Sequence, residues 1–254
     1  MAGRRITLLD DDQWPGESFG TAMRIAPATA ALGIIDVQHY FFDSQSDAAG
    51  VLGRHHPELQ REVERRTGAM IGNIAALQEA FRGGGNRLFY TRHGMLLADG
   101  AEMIERRRER ERAARASTGG KAGHMPVKGE RGQDILAAVA PLKSELIWDK
   151  NTSSAFHTTP IDLYLRNMGI ETIGLTGVAA DMCVLATAID AADRGFNVIV
   201  VSDACETLDA GSAEAAQILF GRIWGYVMTT ADVLEWLRTG APPAQTRRTF
   251  APAP

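Results

Sequence analysis

Cysteine and long apolar runs are both scarce in this sequence. The chain has 2 cysteines among 254 residues, and no apolar run is long enough to span a bilayer. Two cysteines argue against a disulfide framework and favour a reducing, cytoplasmic compartment. The amino terminus lacks an apolar stretch after its basic residues, so no secretory signal is expected. With a net charge of −4, the chain has no basic surplus for binding nucleic acid. The sequence therefore predicts neither a membrane nor a nucleic-acid partner.

What the sequence does contain is a regular alternation of strand and helix patterns. Strands alternating with helices indicate a parallel sheet covered on both faces. The predicted fold is α/β, with three α/β/α layers around a doubly wound, mainly parallel six-stranded sheet. The expected strands lie near 30–36, 86–92, 145–149, 172–177, 197–202 and 225–228. The expected helices lie near 58–82, 99–116, 132–139, 159–168, 181–194, 211–223 and 230–238.

The length suits one domain with extended ends. We expect one α/β domain at 28–238, an N-terminal extension at 1–27 and a poorly ordered tail at 239–254 that is rich in Pro and Ala. Residues 94–131 form a long, charged insertion. Its ERRRERERAAR run is typical of a solvated helix with interleaved charges. The alternative is that one or two of its arginines contact an anionic substrate as part of a lid.

The segment ETIGLTGVAADMCVLATAIDAADRG places Cys183 between a strand and a helix. A buried strand precedes a tight turn, and a helix is predicted to begin at about Asp181. The thiol then lies in the first helical turn, where unpaired N–H groups and the helix dipole favour thiolate over thiol. Open α/β sheets bind ligands outside the carboxyl ends of their strands. We therefore expect Cys183 to be a nucleophile rather than only a small buried hydrophobe.

Two charged residues occupy similar positions at the ends of other strands. The run TAALGIID ends in Asp36, and the run SELIWDK ends at Lys150. Three separate βα units therefore bring a carboxylate, an ammonium and the thiol of Cys183 to one edge of the sheet. Asp36 is the candidate general base for the thiol proton. Lys150 would stabilise the resulting anion and keep the carboxylate ionised.

Four segments of the chain resemble one protein family. They are IIDVQHYFFD (Ile34 to Asp43), the block from Trp148 to Ile170, LTGVAADMCVLATAIDAADRGF (Leu175 to Phe196) and VIVVSDACET (Val198 to Thr207). The chain is similar in these segments to the isochorismatase-like cysteine hydrolases. That family includes nicotinamidases, N-carbamoylsarcosine amidase, ureidoacrylate amidohydrolase and biuret hydrolase. The resemblance covers residues 28 to 237, and its Gly-Val-x-x-Asp-x-Cys-Val element is highly specific.

The resemblance implies roles for particular residues. Asp36, Lys150 and Cys183 would form a catalytic triad. A cis peptide bond between Val178 and Ala179 would turn the Ala179 N–H toward the substrate. The backbone N–H groups of Ala179 and Cys183 would then form the oxyanion hole. The resemblance also implies a homo-oligomer, either a dimer or a tetramer.

The sequence predicts no metal and no cofactor. Nicotinamidases of this family carry a metal near the pocket, held by an Asp-x-His pair and a later His. None of the 6 histidines of this chain belongs to such a pair. His93 follows the second strand and is expected either to face the pocket or to have a structural hydrogen bond. Isochorismatase itself is disfavoured because that branch of the family does without the cysteine, which is present here.

The remaining substrate-binding candidates are aromatic. Phe41 and Phe42 come shortly after Asp36, and Phe156 comes six residues after Lys150. Aromatic residues near a sheet edge are more often core than pocket. Those on loops are the better candidates, and together with His93 they would line a compact, partly apolar pocket for a small planar amide or ureide.

These residues predict a hydrolase of carbon–nitrogen bonds. The expected substrate is a small linear amide, ureide or N-carbamoyl compound, cleaved through a thioester with release of ammonia or an amine. One alternative is a nicotinamidase-type hydrolase of ring amides. Another is a catalytically silent binding protein on the same fold, since fold alone does not determine function.

Replacing each cysteine by serine tests the assignment of the nucleophile. Cys183→Ser should leave the fold intact but remove nearly all turnover, because a hydroxyl ionises far less readily than a thiol with a pKa of about 8.5. Cys205 lies at the end of the strand VIVVSDAC, so Cys205→Ser should retain most of the activity. Rates of ammonia release for the two variants measure the difference, and the reverse order would refute the assignment.

Overall fold

The computed structural model describes residues 23–42, 57–117, 123 and 125–241. Most of the predicted N-terminal extension, nearly all of the predicted tail and part of the insertion lie outside these described residues. Within the described ranges, the strands are β1 (Ala30–Ile35), β2 (Arg87–His93), β3 (Leu146–Lys150), β4 (Thr172–Val178), β5 (Asn197–Glu206) and β6 (Tyr226–Met228). All pair in parallel, in the order β3-β2-β1-β4-β5-β6.

Helices cover both faces of this sheet. They are α1 (His39–Phe42), α2 (Pro57–Gly83), α3 (Glu105–Ser117), α4 (Ile161–Asn167), α5 (Leu185–Asp193), α6 (Ala210–Ile223) and α7 (Thr230–Thr239). The buried residues of α2 and α7 pack on one face of the sheet, and those of α4, α5 and α6 pack on the other. The predicted three-layer α/β fold and its six-stranded parallel sheet are therefore confirmed.

The alternating side chains of β1 contribute to two hydrophobic clusters, one on each face of the sheet. Ala31 and Ile35 join the cluster under α4 to α6, whereas Leu32 and Ile34 join the cluster under α2 and α7. Successive residues of a strand point to opposite faces. Because both faces of a parallel sheet are covered, every residue of β1 is buried. This is why the strand is a continuous apolar run in the sequence.

The strand order has a switch point between β1 and β4. From β1 the chain builds the sheet outward through β2 to β3, and it then crosses back to place β4 on the other side of β1. At such a point the loops after the two central strands diverge to opposite faces and leave a crevice between them. The loops after β1 and β4 therefore flank the expected binding site.

Two predicted helices differ from the structure. The helix expected at 132–139 is replaced by two 3₁₀ turns, Arg131–Gln133 and Ala137–Val139. Between them, Ile135 forms an antiparallel bridge with Gln38, so this stretch of backbone pairs with the loop after β1 instead of continuing a helix. The helix expected at 99–116 begins only at Glu105. Among the described residues, no helix has the length and apolar character needed to cross a bilayer.

Gly177 gives a test of how tightly β1 and β4 are joined. Its φ is 109°, and a Cβ atom there would lie 2.1 Å from the carbonyl oxygen of Ile35. Gly177→Ala should therefore destabilise the fold by about 2–4 kcal/mol, from backbone strain together with a clash against fixed backbone. Gly195→Ala is the matched control, since Gly195 also has a positive φ of 87° but nothing within 4 Å of the added atom. Chemical denaturation measures both variants, and equal losses would contradict the close contact at Gly177.

Candidate active site

The residues predicted from strand ends meet at one edge of the sheet. Asp36 follows β1, His93 ends β2 and Lys150 ends β3. Cys183 lies in the turn that follows β4. Because β2 lies between β1 and β3, Lys150 is two strand spacings from Asp36, roughly 10 Å of backbone separation. The long lysine stem is what allows an ammonium from β3 to reach a carboxylate after β1.

The ammonium of Lys150 forms a buried ion pair with Asp36. The Nζ atom lies 2.7 Å from Oδ2 of Asp36, and both side chains have no solvent exposure. Burial lowers the pKa of Lys150, but the negative charge of Asp36 and the hydrogen bond to its carboxylate outweigh burial and raise the pKa overall. Lys150 is therefore positively charged at the site, even though it is fully buried.

Two further acceptors surround the same ammonium. The carbonyl oxygen of Thr152 accepts a hydrogen bond from Nζ at 3.0 Å, and Nδ1 of His93 lies 3.5 Å from Nζ. A lysine ammonium has three N–H donors and no acceptor. Asp36, Thr152 and His93 together give each of these donors a partner. This arrangement fixes the position of the charge.

Asp36 is held by the neighbouring strand. Its Oδ1 accepts a hydrogen bond from the hydroxyl of Thr91 at 2.7 Å, and its backbone N–H donates to the Thr91 carbonyl at 3.2 Å. The residue has a φ of 53°, a left-handed conformation that aspartate tolerates better than most residues. The chain therefore turns sharply at Asp36, and the two carboxylate oxygens have different partners.

Cys183 enters the site through an irregular turn. The peptide bond between Val178 and Ala179 is cis. A π-helical turn, Ala180–Val184, follows and leads directly into α5. Cys183 is buried, and its sulfur lies within 4.8 Å of a carboxylate oxygen of Asp36 and a ring nitrogen of His93. The geometry thus brings the three predicted triad residues together and adds His93.

The ionisation of Cys183 differs from the sequence expectation. Burial raises its pKa to about 12, with the negative charge of Asp36 acting in the same direction and Lys150 opposing it. The expectation that the helix terminus lowers the pKa of Cys183 was wrong, because desolvation and a neighbouring carboxylate outweigh the field of the turn. The resting residue is a thiol, and a proton must leave it before or during attack.

His93 is neutral in this environment. Burial and the nearby charge of Lys150 lower its pKa to about 3. Because the Lys150 ammonium can only donate hydrogen bonds, the Nδ1 atom that faces it is the acceptor, and Nε2 bears the hydrogen. The imidazole is therefore a fixed hydrogen-bond donor through Nε2.

Gln38 is a structural residue that the sequence reasoning did not single out. Its side-chain amide donates to the carbonyl oxygens of His93 at 3.1 Å and Gln133 at 3.0 Å, and its oxygen accepts from the His93 N–H at 2.7 Å. It is fully buried. Gln38 thereby joins the ends of β1 and β2 to the end of the insertion. Its position two residues after the strand-end Asp36 was the available signal.

Tyr40 was also missed. Its ring is buried, and burial together with the negative charge of Asp36 holds the pKa of the Tyr40 phenol well above the usual range. The phenol therefore stays protonated beside the reacting groups. Its position between Gln38 and the predicted Phe41 was the sequence signal, but the reasoning weighed only the phenylalanines.

The three aromatic substrate-binding candidates have core contacts. Phe41 stacks on Tyr40, with ring centroids 3.9 Å apart, and Phe42 is half-buried beside it. Phe156 is buried against Phe196, with centroids 6.0 Å apart. Contact of these rings with a substrate stays a prediction, whereas their packing role is visible.

Asp36, His93 and Cys183 also form a group of potential metal ligands, with one ligand atom of each within 4.8 Å of the others. The ammonium of Lys150 lies 2.7 Å from Asp36 and 3.5 Å from His93. Two of the three donors thus already face a positive charge, and the third is a protonated thiol. This set of residues does not fit a resident divalent metal, because the cation would have to share the donors with the ammonium.

The buried neutral state of His93 predicts a specific loss of stability in acid. The unfolded chain takes up a proton near pH 6.5 and the folded chain only near pH 3, so stability falls as the pH falls through this window. The contribution at pH 5 is about 2 kcal/mol. His93→Gln should therefore lose less unfolding free energy between pH 7 and 5 than the wild type does. His157→Gln is the control, since His157 is 62% exposed. Equal losses in wild type and His93→Gln would contradict the assigned protonation state.

Comparison with known proteins shows which family this chain resembles. Residues 30–232 match the Isochorismatase domain. Ureidoacrylate amidohydrolase of Methylobacterium radiotolerans is 26% identical over 82% of this chain and 78% of that protein. Maleamate amidohydrolase of Pseudomonas putida is 33% identical over 40% of this chain. That match covers 47% of the maleamate enzyme, so the chain spans about half the length of this relative.

A solved structure extends the comparison to the fold. An isochorismatase family protein from Desulfovibrio vulgaris superposes with a TM-score of 0.69 at 26% identity, over 83% of this chain and 98% of that one. The matched domain includes the ends of all six strands, and therefore every residue of the cluster around Lys150. Because this domain match extends over most of the sequence, the chain belongs to the isochorismatase family of hydrolases.

Proposed function

We propose that this protein is a cysteine-dependent amidohydrolase. It cleaves the C–N bond of a small linear amide, ureide or N-carbamoyl compound through a thioester, and releases ammonia or an amine. The observation that carries the proposal is the buried cluster in which Cys183 lies beside the Asp36–Lys150 ion pair. A thiol, a base and a fixed positive charge are the parts that nucleophilic acyl transfer needs.

Acylation begins from the neutral thiol. The carboxylate of Asp36 takes the proton as the sulfur attacks the carbonyl carbon, because a thiol with a pKa of about 12 is not ionised beforehand. Lys150 pairs with the carboxylate of Asp36 at 2.7 Å before the reaction and stabilises the developing thiolate. Asp36 then passes the proton to the departing nitrogen as the C–N bond breaks.

The oxyanion of the tetrahedral intermediate requires hydrogen-bond donors. The backbone N–H groups of Ala179 and Cys183 are the proposed donors, since both belong to the turn that carries the nucleophile. The Nε2–H of His93 and the hydroxyl of Tyr40 are further neutral donors beside the cluster. Water then attacks the thioester and gives one proton to Asp36. As the C–S bond breaks, Asp36 returns that proton to the departing sulfur, so that the carboxylic acid leaves and both the thiol and the carboxylate are restored.

The relatives support an acyclic amide as the substrate class. Two of them are named for ureidoacrylate and maleamate, which are linear compounds. The absence of an Asp-x-His pair from the sequence weighs against a metal-dependent nicotinamidase, the main alternative. We further propose a reducing, cytoplasmic compartment, since both cysteines are free. A homo-oligomer is proposed from the resemblance to the family alone.

A substrate panel tests the proposed function. Ammonia release is measured with biuret, ureidoacrylate, N-carbamoylsarcosine, maleamate and nicotinamide, and intact mass spectrometry detects an acyl adduct on Cys183. Turnover of a linear compound with a stoichiometric adduct supports the proposal. Nicotinamide as the best substrate would favour the ring-amide alternative. Binding without turnover or adduct on any compound would favour a silent binding protein.

Substitutions of Asp36 and Lys150 test their proposed roles as general base and electrostatic stabiliser. Asp36→Asn and Lys150→Ala should each reduce kcat/KM by at least about a hundredfold, the lower range for losing general acid–base catalysis. Lys143→Ala is the control, because Lys143 is exposed just before β3. A hundredfold loss in the control, or full activity in either site variant, would contradict the assigned roles.

Alkylation by iodoacetamide measures the thiol without any substrate. The rate for wild type should rise about tenfold per pH unit from pH 7 to 10 without a plateau, because only thiolate reacts. Lys150→Ala should be slower at each pH, since Lys150 lowers the pKa of Cys183. A plateau near pH 7 would mean that the resting residue is a thiolate.

A further inference from the structure

The position of the Lys150 ammonium depends on a loop as well as on a strand. One of its three hydrogen-bond partners is the carbonyl oxygen of Thr152, at 3.0 Å. Thr152 lies in the irregular segment that directly follows β3. A backbone carbonyl in an irregular segment holds a charge in place only if that segment is itself held. The contacts of residues 151–155 therefore bear on the geometry of the catalytic cluster.

A single arginine from the insertion binds this loop on both sides of Thr152. The Nη1 atom of Arg107 donates to the carbonyl oxygen of Asn151 at 2.7 Å, and Nη2 donates to the hydroxyl of Ser153 at 2.8 Å. The two acceptors flank the residue whose carbonyl faces Lys150. A planar guanidinium fixes two acceptors at once, which a lysine cannot do.

The opposite end of the loop is bound to the helix that follows Cys183. The hydroxyl of Ser154 donates to Oδ2 of Asp190 at 2.6 Å, and the N–H of Ala155 donates to the hydroxyl of Thr187 at 3.2 Å. Both acceptors belong to α5. The loop thus spans from the insertion helix α3 to the helix of the nucleophile, with Arg107 as its attachment to α3.

The helix that carries Arg107 is anchored to the rest of the insertion. Glu111 is buried and pairs with Arg115 at 2.9 Å, and Arg115 also donates to the carbonyl oxygen of Met125 at 3.3 Å. A separate contact joins the side chain of Asn151 to the Glu102 carbonyl at 3.4 Å. The insertion therefore supports the loop at two places, and the position of Arg107 is fixed from its own side.

We propose that Arg107 is a positioning residue for Lys150. It holds the Thr152 carbonyl where it orients the ammonium toward Asp36 and Cys183, and so couples the charged insertion to the catalytic cluster. This inference rests on the proposed function, since it assigns Arg107 a role through the lysine of that mechanism. The positive charge of Arg107 also reaches His93 and Tyr40, which is consistent with its place beside the site.

The competing role for Arg107 is direct binding of an anionic substrate. Both terminal nitrogens of its guanidinium already donate to the loop, at 2.7 and 2.8 Å. Each terminal nitrogen has one further N–H, but a substrate anion could reach it only with the guanidinium in the position that these two short hydrogen bonds fix. The geometry therefore favours positioning. The two roles also differ in kinetics, because positioning acts on kcat and ground-state binding acts on KM.

Steady-state kinetics on the full chain distinguish the two roles. Arg107→Ala should reduce kcat by about 10- to 100-fold, the range for loss of an outer-shell partner, with KM changed less than about twofold. Arg107→Lys should recover only part of this loss, since an ammonium reaches one acceptor at a time. Arg112→Ala is the matched control on the same helix, because Arg112 is 62% exposed. A raised KM with unchanged kcat would overturn the proposal in favour of substrate binding.

A double-mutant cycle on thiol alkylation tests the route through Lys150. At a fixed pH of about 8.5, a typical thiol pKa, iodoacetamide should react more slowly with Arg107→Ala than with wild type. The Arg107→Ala/Lys150→Ala double variant should match Lys150→Ala alone, since Arg107 acts only through the lysine. Additive effects would overturn the positioning role.

Two outcomes distinguish a failure of the inference about Arg107 from a failure of the proposed function. If Lys150→Ala is impaired and Arg107→Ala behaves as wild type, the inference fails and the proposed function stands. If Lys150→Ala itself retains full turnover and wild-type alkylation, the proposed function fails. Ser153→Ala removes one acceptor of the Arg107 guanidinium and retains the arginine. It therefore replaces Arg107→Ala as the test if circular dichroism shows that Arg107→Ala is unfolded. A loss of kcat in Ser153→Ala that is smaller than the loss expected for Arg107→Ala supports positioning. An unchanged kcat in Ser153→Ala would refute it.

Discussion

The buried ion pair between Lys150 and Asp36 is the constraint on which the site depends. Both side chains are fully buried, with 2.7 Å between the charged atoms. Removing two charges from water costs several kcal/mol for each ion unless other groups compensate. Here the hydroxyl of Thr91, the carbonyl of Thr152 and the ring of His93 supply that compensation. The surrounding fold must therefore deliver polar groups from several elements to one point.

The same pair determines the electrostatics of the nucleophile. Burial raises the pKa of Cys183 most, the carboxylate of Asp36 raises it further, and the ammonium of Lys150 opposes both. A protonated resting thiol is protected from adventitious oxidation, because the thiolate is the reactive form. Under the proposed mechanism, proton transfer to Asp36 is coupled to attack, and reactivity appears only when a substrate carbonyl is in place. The mechanism thus combines a stable resting state with a strong nucleophile.

The charged insertion is packed against the domain to a greater extent than its composition suggests. Its helix α3 has one solvated side, where Arg112 is 62% exposed, and another side that includes the buried Glu111 and the half-buried Arg107. Through Arg107 the helix contacts the loop after β3 rather than standing apart from the domain. The insertion thereby contacts the loop whose Thr152 carbonyl faces Lys150, and under the proposed positioning role variation in its sequence would alter the position of Lys150.

The sequence by itself determined the sheet, its parallel pairing and the residues at its strand ends. The apolar runs of β1 and β4 are buried on both faces, and the predicted catalytic residues Asp36 and Cys183 lie after them in the chain. Local patterns carry this information because strand ends in a parallel sheet share one edge. Only the tertiary structure decided the pKa of Cys183 and the contacts of His93, Gln38 and Arg107. These depend on burial and on partners that are distant along the chain, such as Gln38 and Gln133, which lie 95 residues apart, and no local pattern records them.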